Sequence, residues 1–104
     1  MAPVIATVDC AAITANLDTL QALAPTSAVM AVVKADGYGH GALTVARTAR
    51  AWGAPWLGVA HPSEGLQLRA GGDTGRILAW LWAPGDAEVR AAVEADIDLS
   101  VNSV

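Results

Sequence analysis

Positive charge is scarce in this sequence: one lysine, Lys34, and five scattered arginines stand against ten acidic residues, for a net charge of −4. With no basic cluster to set against a phosphate backbone or an anionic bilayer, the chain is expected to bind neither nucleic acid nor membrane. Cysteine is limited to Cys10. A single thiol closes no internal disulfide, and with no second cysteine nearby it starts no zinc or redox motif, so Cys10 is read as a small packing residue. His61, beside Pro62, lacks a second ligand at metal spacing, and no metal site is expected. Long apolar runs are missing too. The longest, Ile77 to Pro84, is far short of the roughly 20 residues that cross a bilayer. No cation precedes Lys34 to open a signal peptide, and the expected location is cytoplasmic.

What the chain has in excess is apolar surface. Its 104 residues are 54% hydrophobic, more than a small solvated domain requires. Apolar spacing resolves this surface into alternating elements. Asp9 can cap a helix whose stripe is Ile13, Leu17, Leu20 and Ala24, stopped by Pro25. Val29 to Val33 is a short, β-branched run suited to a strand buried on both faces. Ala42, Val45, Ala46 and Ala49 form a second helical stripe ended by Gly53, ahead of a strand near Trp56 to Ala60. Pro62 and Glu64 fit the first turn of a third helix that ends at Gly71-Gly72. A strand from Ile77 to about Trp82, a turn at Pro84-Gly85, a helix over Ala87 to Ala95 capped by Asp86, and a strand from Ile97 to Val101 complete the pattern.

Strands separated in this way by single helices have the rhythm of βαβ units. Four such units fit either a doubly wound sheet or half of an eight-stranded barrel. The surplus of apolar residues favours the half barrel, because an incomplete parallel sheet leaves a face and two edges without partners. The expected fold class is therefore α/β, with about four βα units forming the N-terminal portion of a TIM-type (β/α)8 barrel.

Lys34 is placed for chemistry. It follows six consecutive apolar residues, Ala28 to Val33, and opens the turn Ala35-Asp36-Gly37-Tyr38-Gly39-His40-Gly41. An amine that attacks a carbonyl is held by a rigid element and shielded in part from water. In a parallel αβ barrel, sites gather where strands end at their carboxyl side, which is where Lys34 falls. The structural alternative is a lysine snorkelling from a strand end to water. Gly37 to Ala42 also fits the pattern G-x-G-x-x-A of dinucleotide-binding folds. Such folds hold a ribose with an acidic residue at the end of the second strand, where this chain has Ala60 and His61, so the pattern is set aside. His40 and Asp36 are read as partners of backbone groups in the turn. Trp52, Trp56, Trp80 and Trp82 are read as packing residues, Trp80 being the one with a second possible role at a cofactor.

The run Ala31-Val32-Val33-Lys34-Ala35-Asp36-Gly37-Tyr38-Gly39-His40-Gly41-Ala42 resembles the pyridoxal-phosphate attachment motif of alanine racemases. Flanking segments agree with it: Thr7-Val8-Asp9, Asn16-Leu17, Trp56 to Ala60 followed by Glu64, and Ile77 to Trp80. Two departures stand out. Position 37 is often alanine in that family, and position 61 is expected to carry a small hydroxyl residue where this chain has His61.

The resemblance implies a cofactor, pyridoxal 5'-phosphate, joined to Lys34 as catalytic amine, with Tyr38 as a cofactor-binding residue at the phosphate. It implies racemisation of L-alanine and D-alanine in a homodimer that supplies D-alanine for peptidoglycan. It also implies that residues 1–104 are a partial N-terminal barrel domain. The rest of the barrel, a C-terminal β domain and the second catalytic base would lie elsewhere, since Tyr38 is the only tyrosine here. Two rivals are a noncatalytic pyridoxal-phosphate homeostasis protein of the same barrel and a truncated product without function. The first resembles this chain less, because it carries serine and threonine where Val33 and Ala35 flank the lysine.

Overall fold

The computed structural model describes residues 2–103, in which helices and strands alternate as the apolar spacing predicts. Helix α1 (Cys10–Leu23) starts at Asp9, whose Oδ1 accepts the Ala12 N–H at 3.2 Å and satisfies one of the free donors of the first turn. Of its predicted stripe, Leu17 is buried and Ile13 packs against the core, while Leu20 stays 55% exposed.

The strands are β1 (Met30–Val32), β2 (Trp56–Val59), β3 (Arg76–Ala79) and β4 (Ile97–Leu99). They pair in parallel in the order β1-β2-β3-β4, with Val32 opposite Gly58, Gly58 opposite Leu78 and Leu78 opposite Asp98. Strand order follows chain order without reversal. A doubly wound sheet reverses direction at its switch point, whereas a β/α barrel adds each strand beside the last, so the sheet is a segment of barrel wall.

Between the strands lie a single turn α2 (Lys34–Tyr38) with α3 (Ala42–Trp52), then α4 (Pro62–Ala70), then α5 (Glu88–Glu94). The core lies between these helices and one face of the sheet. Leu57, Val59, Ile77, Ala79 and Ile97 are buried with Ala46, Ala49, Leu68 and Ala92 of the helices. Burying a side chain of the size of Leu or Ile stabilises a fold by about 1.5–3 kcal/mol, so this layer carries most of the cohesion. Gly65 lets α4 approach: a Cβ there would stand 2.9 Å from Ile97 Cδ1.

The opposite face carries the alternate residues. Met30, Val32, Leu78 and Trp80 are only half-buried, so β1 is not enclosed on both faces as its composition predicts. No helix of the described residues covers that side. A barrel interior is filled by strands from around the whole ring, and four strands supply part of it.

β1 (Met30–Val32) and α5 (Glu88–Glu94) are each one residue shorter at both ends than expected and β3 begins one residue earlier, at Arg76, and three further differences are larger. β3 ends at Ala79 rather than Trp82, although Leu81 still donates to Ala60 O at 2.7 Å. β4 ends at Leu99 rather than Val101, with Ser100 N–H reaching Ala79 O at 3.1 Å. Asp86 does not cap α5. Its Oδ2 accepts the Ala83 N–H at 2.8 Å and closes the Pro84-Gly85 turn instead, leaving Ala87 as a cap without a side-chain bond.

Candidate active site

β1 delivers Lys34 to the carboxyl end of the sheet. One further ladder bond, Val33 N–H to Gly58 O at 2.9 Å, secures the strand beyond Val32, and Lys34 is the next residue. Its side chain is half-buried, and Nζ lies 5.8 Å from the centre of the Tyr38 ring, at the outer limit of a cation–π contact. Tyr38 itself is 58% exposed.

The turn between them has the wrong hand for L-residues. Ala35, Asp36, Gly37, Tyr38 and Gly39 have φ of 52°, 55°, 64°, 58° and 84°, a complete left-handed turn. Three of the five carry a Cβ, and each such residue costs about 1–2 kcal/mol in that region, less for Asp. Strain of this kind persists only where the surroundings over-determine it, and it concentrates at functional sites. Here the bonds that hold it can be named. Within the turn, Gly37 N–H donates to Val33 O at 2.9 Å, Gly39 N–H to Ala35 O at 3.0 Å and Gly41 N–H to Asp36 O at 2.8 Å. His40 Nδ1 lies 3.0 Å from Gly37 O; because a carbonyl only accepts, Nδ1 carries the hydrogen.

A carboxylate grips each end. Asp36 Oδ1 accepts the Ala42 N–H at 2.9 Å and so caps α3 from six residues back, where Gly41 offers no side chain. Glu64 Oε2 accepts the Ala35 N–H at 2.7 Å from the neighbouring βα connection. Thus Asp36 and His40 serve backbone groups, as their positions in the turn suggest.

The tryptophans are anchors at both ends of the sheet. Trp52 Nε1 donates to Asp18 Oδ1 at 2.8 Å and ties α3 to α1, while Trp82 Nε1 donates to Ser100 O at 2.7 Å. Trp56 stacks under the Arg76 guanidinium, 4.0 Å from its ring centre. Trp80 lies on the face not covered by helices, where a Cβ on Gly58 would meet Met30 Sδ at 2.7 Å and Trp80 Cζ3 at 2.9 Å. Among the described residues no group of three or more His, Cys, Asp or Glu side chains could hold a metal ion, and no helix is long and apolar enough to cross a membrane.

Sequence reasoning missed two features. Nothing in the residue types announces a left-handed turn through Ala35 and Tyr38. The reach of Glu64 across to Ala35 was foreshadowed only by its place three residues after His61, the spacing of a capping box.

The sequential parallel order defines one wall of a β/α barrel, with Lys34 and the strained turn behind it at the carboxyl end of its first strand. Residues 8–104 match the family described as "Alanine racemase, N-terminal domain", and the chain belongs to that family. It is 52% identical over 103 residues to the alanine racemase of Streptomyces coelicolor, covering 95% of this chain and 26% of that protein. With the alanine racemase of Mycolicibacterium smegmatis it shares 53% over 96 residues, 92% of this chain and 24% of the relative. The crystal structure of alanine racemase from D-cycloserine-producing Streptomyces lavendulae superposes with a TM-score of 0.88 at 54% identity, over 92% of this chain and 25% of that one. The Bacillus anthracis alanine racemase with bound L-Ala-P superposes with a TM-score of 0.81 at 35% identity, over 96% and 27% of the two chains. The chain therefore spans about a quarter of the length of the relatives it matches. Its fold is the N-terminal portion of a TIM-type barrel.

Proposed function

We propose that residues 1–104 form the N-terminal portion, about four βα units, of a barrel in a longer polypeptide, and that this polypeptide racemises alanine with pyridoxal 5'-phosphate held on Lys34. The observation that carries the proposal is a half-buried amine at the carboxyl end of β1, in a chain of the alanine racemase N-terminal domain family. The residues present suit the cofactor. Lys34 supplies the amine for its aldehyde, and Tyr38, on the same turn, supplies a hydroxyl that can donate to its phosphate. Bound there, the cofactor supplies a conjugated ring that spreads negative charge from the substrate's α-carbon.

Lys34 then has two tasks. It holds the cofactor, and once its amine is released by the substrate it can take or return a proton at Nζ. The rigid turn keeps Nζ on one side of the reacting carbon, so a second base must stand opposite. Tyr38 is already assigned to the phosphate and is the only tyrosine in this chain. We place the second base, the remaining cofactor contacts and a C-terminal β domain outside residues 1–104, in a homodimer located in the cytoplasm and supplying D-alanine for peptidoglycan.

Borohydride reduction of the cofactor-loaded complete polypeptide, followed by peptide mass spectrometry, tests the assignment. Pyridoxyl label on Lys34 is expected; its absence there would overturn the proposal. The 104 residues alone are expected to produce no D-alanine from L-alanine, consistent with the uncovered face of the sheet. A D-alanine signal from the isolated chain would contradict that division of labour.

A further inference from the structure

The Glu64 carboxylate joins two adjacent βα connections through three backbone donors. Oε1 accepts from Ala60 N–H at 3.1 Å and His61 N–H at 2.8 Å, at the carboxyl end of β2; Oε2 accepts from Ala35 N–H at 2.7 Å, directly after Lys34. The Ala35 bond is long-range, 29 residues apart in sequence, and is the shortest of the three. Glu64 is itself only half-buried and rooted in the first turn of α4 behind Pro62, so its backbone is fixed by a helix packed on the core.

Ala35 is where the chain changes hand: its φ is 52°, and the left-handed run continues through Gly39. The peptide unit whose N–H Glu64 holds is the one that joins Lys34 to Ala35. Holding that N–H fixes the plane of this peptide and so the direction in which the Lys34 side chain leaves the backbone. Ordinary capping of α4 needs only the Ala60 and His61 bonds; the bond to Ala35 does nothing for α4.

We infer that Glu64 is a positioning residue for Lys34, a carboxylate strut that sets the aim of the amine by gripping the first peptide of the strained turn. The inference rests on the lysine–cofactor reading above and adds to it a residue that touches neither cofactor nor substrate. A carboxylate suits the task because both oxygens accept and neither carries a hydrogen. Glutamine cannot replace it: whichever way the amide is turned, an NH2 faces one of the three donors.

The test uses the complete polypeptide as wild type, Glu64→Gln and Glu64→Ala, with pyridoxal 5'-phosphate titrated against visible absorbance, and hydrogen exchange followed in the cofactor-free state. Misdirecting an amine from its carbonyl partner weakens capture, and the expected rise in the apparent Kd is about 10-fold for Gln and about 100-fold for Ala. Exchange in the segment 34–39 accelerates in both variants while the core strands keep their protection. Glu64→Gln is the deciding variant should Glu64→Ala not fold. An unchanged Kd in Glu64→Gln, with wild type still labelled at Lys34, overturns the inference and leaves the lysine reading standing, even if Tm falls. Failure of wild type to label at Lys34 overturns both.

Discussion

Arg50 and Asp73 meet in a two-bonded pair, Nε to Oδ1 at 2.8 Å and Nη2 to Oδ2 at 3.0 Å, at the end of the sheet opposite Lys34. The same guanidinium donates to Ala54 O at 3.0 Å and Arg76 O at 2.8 Å, and Arg69 joins Asp73 Oδ2 at 3.3 Å while donating to Ala95 O, Gly75 O and Asp96 O. Two arginines and one aspartate thus fasten the connections that lead into β2, β3 and β4. In barrels of this type the amino-terminal face stabilises and the carboxyl-terminal face reacts.

Asp73→Ala leaves two guanidinium groups without their shared acceptor at a site where Arg50 and Arg69 are 19% and 17% exposed. Breaking a fully buried pair costs about 3–5 kcal/mol, and partial exposure reduces this to about 2–3 kcal/mol here. Urea unfolding of the complete polypeptide measures it. Cofactor affinity is expected to stay unchanged, because the network lies at the far end of the strands; a weaker affinity at equal stability would refute the separation of the two faces.

Asp36 bears on local stability in a different way. Asp36→Ala removes the acceptor of the Ala42 N–H and puts alanine at a φ of 55°, so α3 loses its cap and the turn gains strain. A loss of about 1–2 kcal/mol follows from the cap alone. Asp36→Asn keeps an accepting oxygen and a residue tolerant of left-handed backbone, and is expected within about 0.5 kcal/mol of wild type. Thermal melts of both variants decide; an Asp36→Ala variant as stable as wild type would mean that the Asp36 bond contributes nothing.

Gly37→Ala introduces a Cβ at φ 64°, where it would stand 3.3 Å from Val45 Cγ2 and 3.4 Å from the Ala42 backbone. The left-handed conformation costs a side chain about 1–2 kcal/mol, partly offset by the lower entropy of the unfolded alanine chain. The net change expected is a destabilisation of about 1 kcal/mol with cofactor capture intact. A stabilised variant would show that the turn is not left-handed at position 37.

Lys34→Arg and Tyr38→Phe separate covalent holding from anchoring. Arginine keeps the charge but cannot condense with an aldehyde, so borohydride labelling is expected to vanish while Tm moves little. Phenylalanine removes one hydrogen bond to a charged group, worth about 1.5–3 kcal/mol, which corresponds to a loss of about 10- to 100-fold in affinity for pyridoxal phosphate. Tyr38 is 58% exposed, so its stability effect is expected to be small. Retained labelling in Lys34→Arg would place the amine elsewhere.

Much of this was legible in the chain because it depends on local pattern. Asp9, Pro25, Gly53 and the glycine pair at Gly71-Gly72 delimit helices by the conformations and capping bonds available to those residue types. Short β-branched runs between the helices identify the strands, and a contiguous motif around Lys34 carries the family resemblance. Strand ends were read less well. Trp80 to Trp82 and Ser100 to Val101 have strand-forming side chains, but where pairing stops depends on how far the neighbouring strand extends. Asp86 looked like a helix cap, yet a nearer donor, the Ala83 N–H, took its carboxylate.

By itself the sequence determined the order of elements, most of the packing stripes of α1 and α3, and the one amine at a strand end. Those follow from periodicities and conformational preferences that act over a few residues. Tertiary structure alone decided that the strands add in chain order, that Ala35 to Gly39 turn with the left hand, and that Glu64 reaches the peptide after Lys34. The strand order and the Glu64 bond join groups distant along the chain, which only packing β2 and α4 beside β1 brings within range, and the turn, though closed mostly by local bonds, is gripped at Ala35 by that same distant carboxylate.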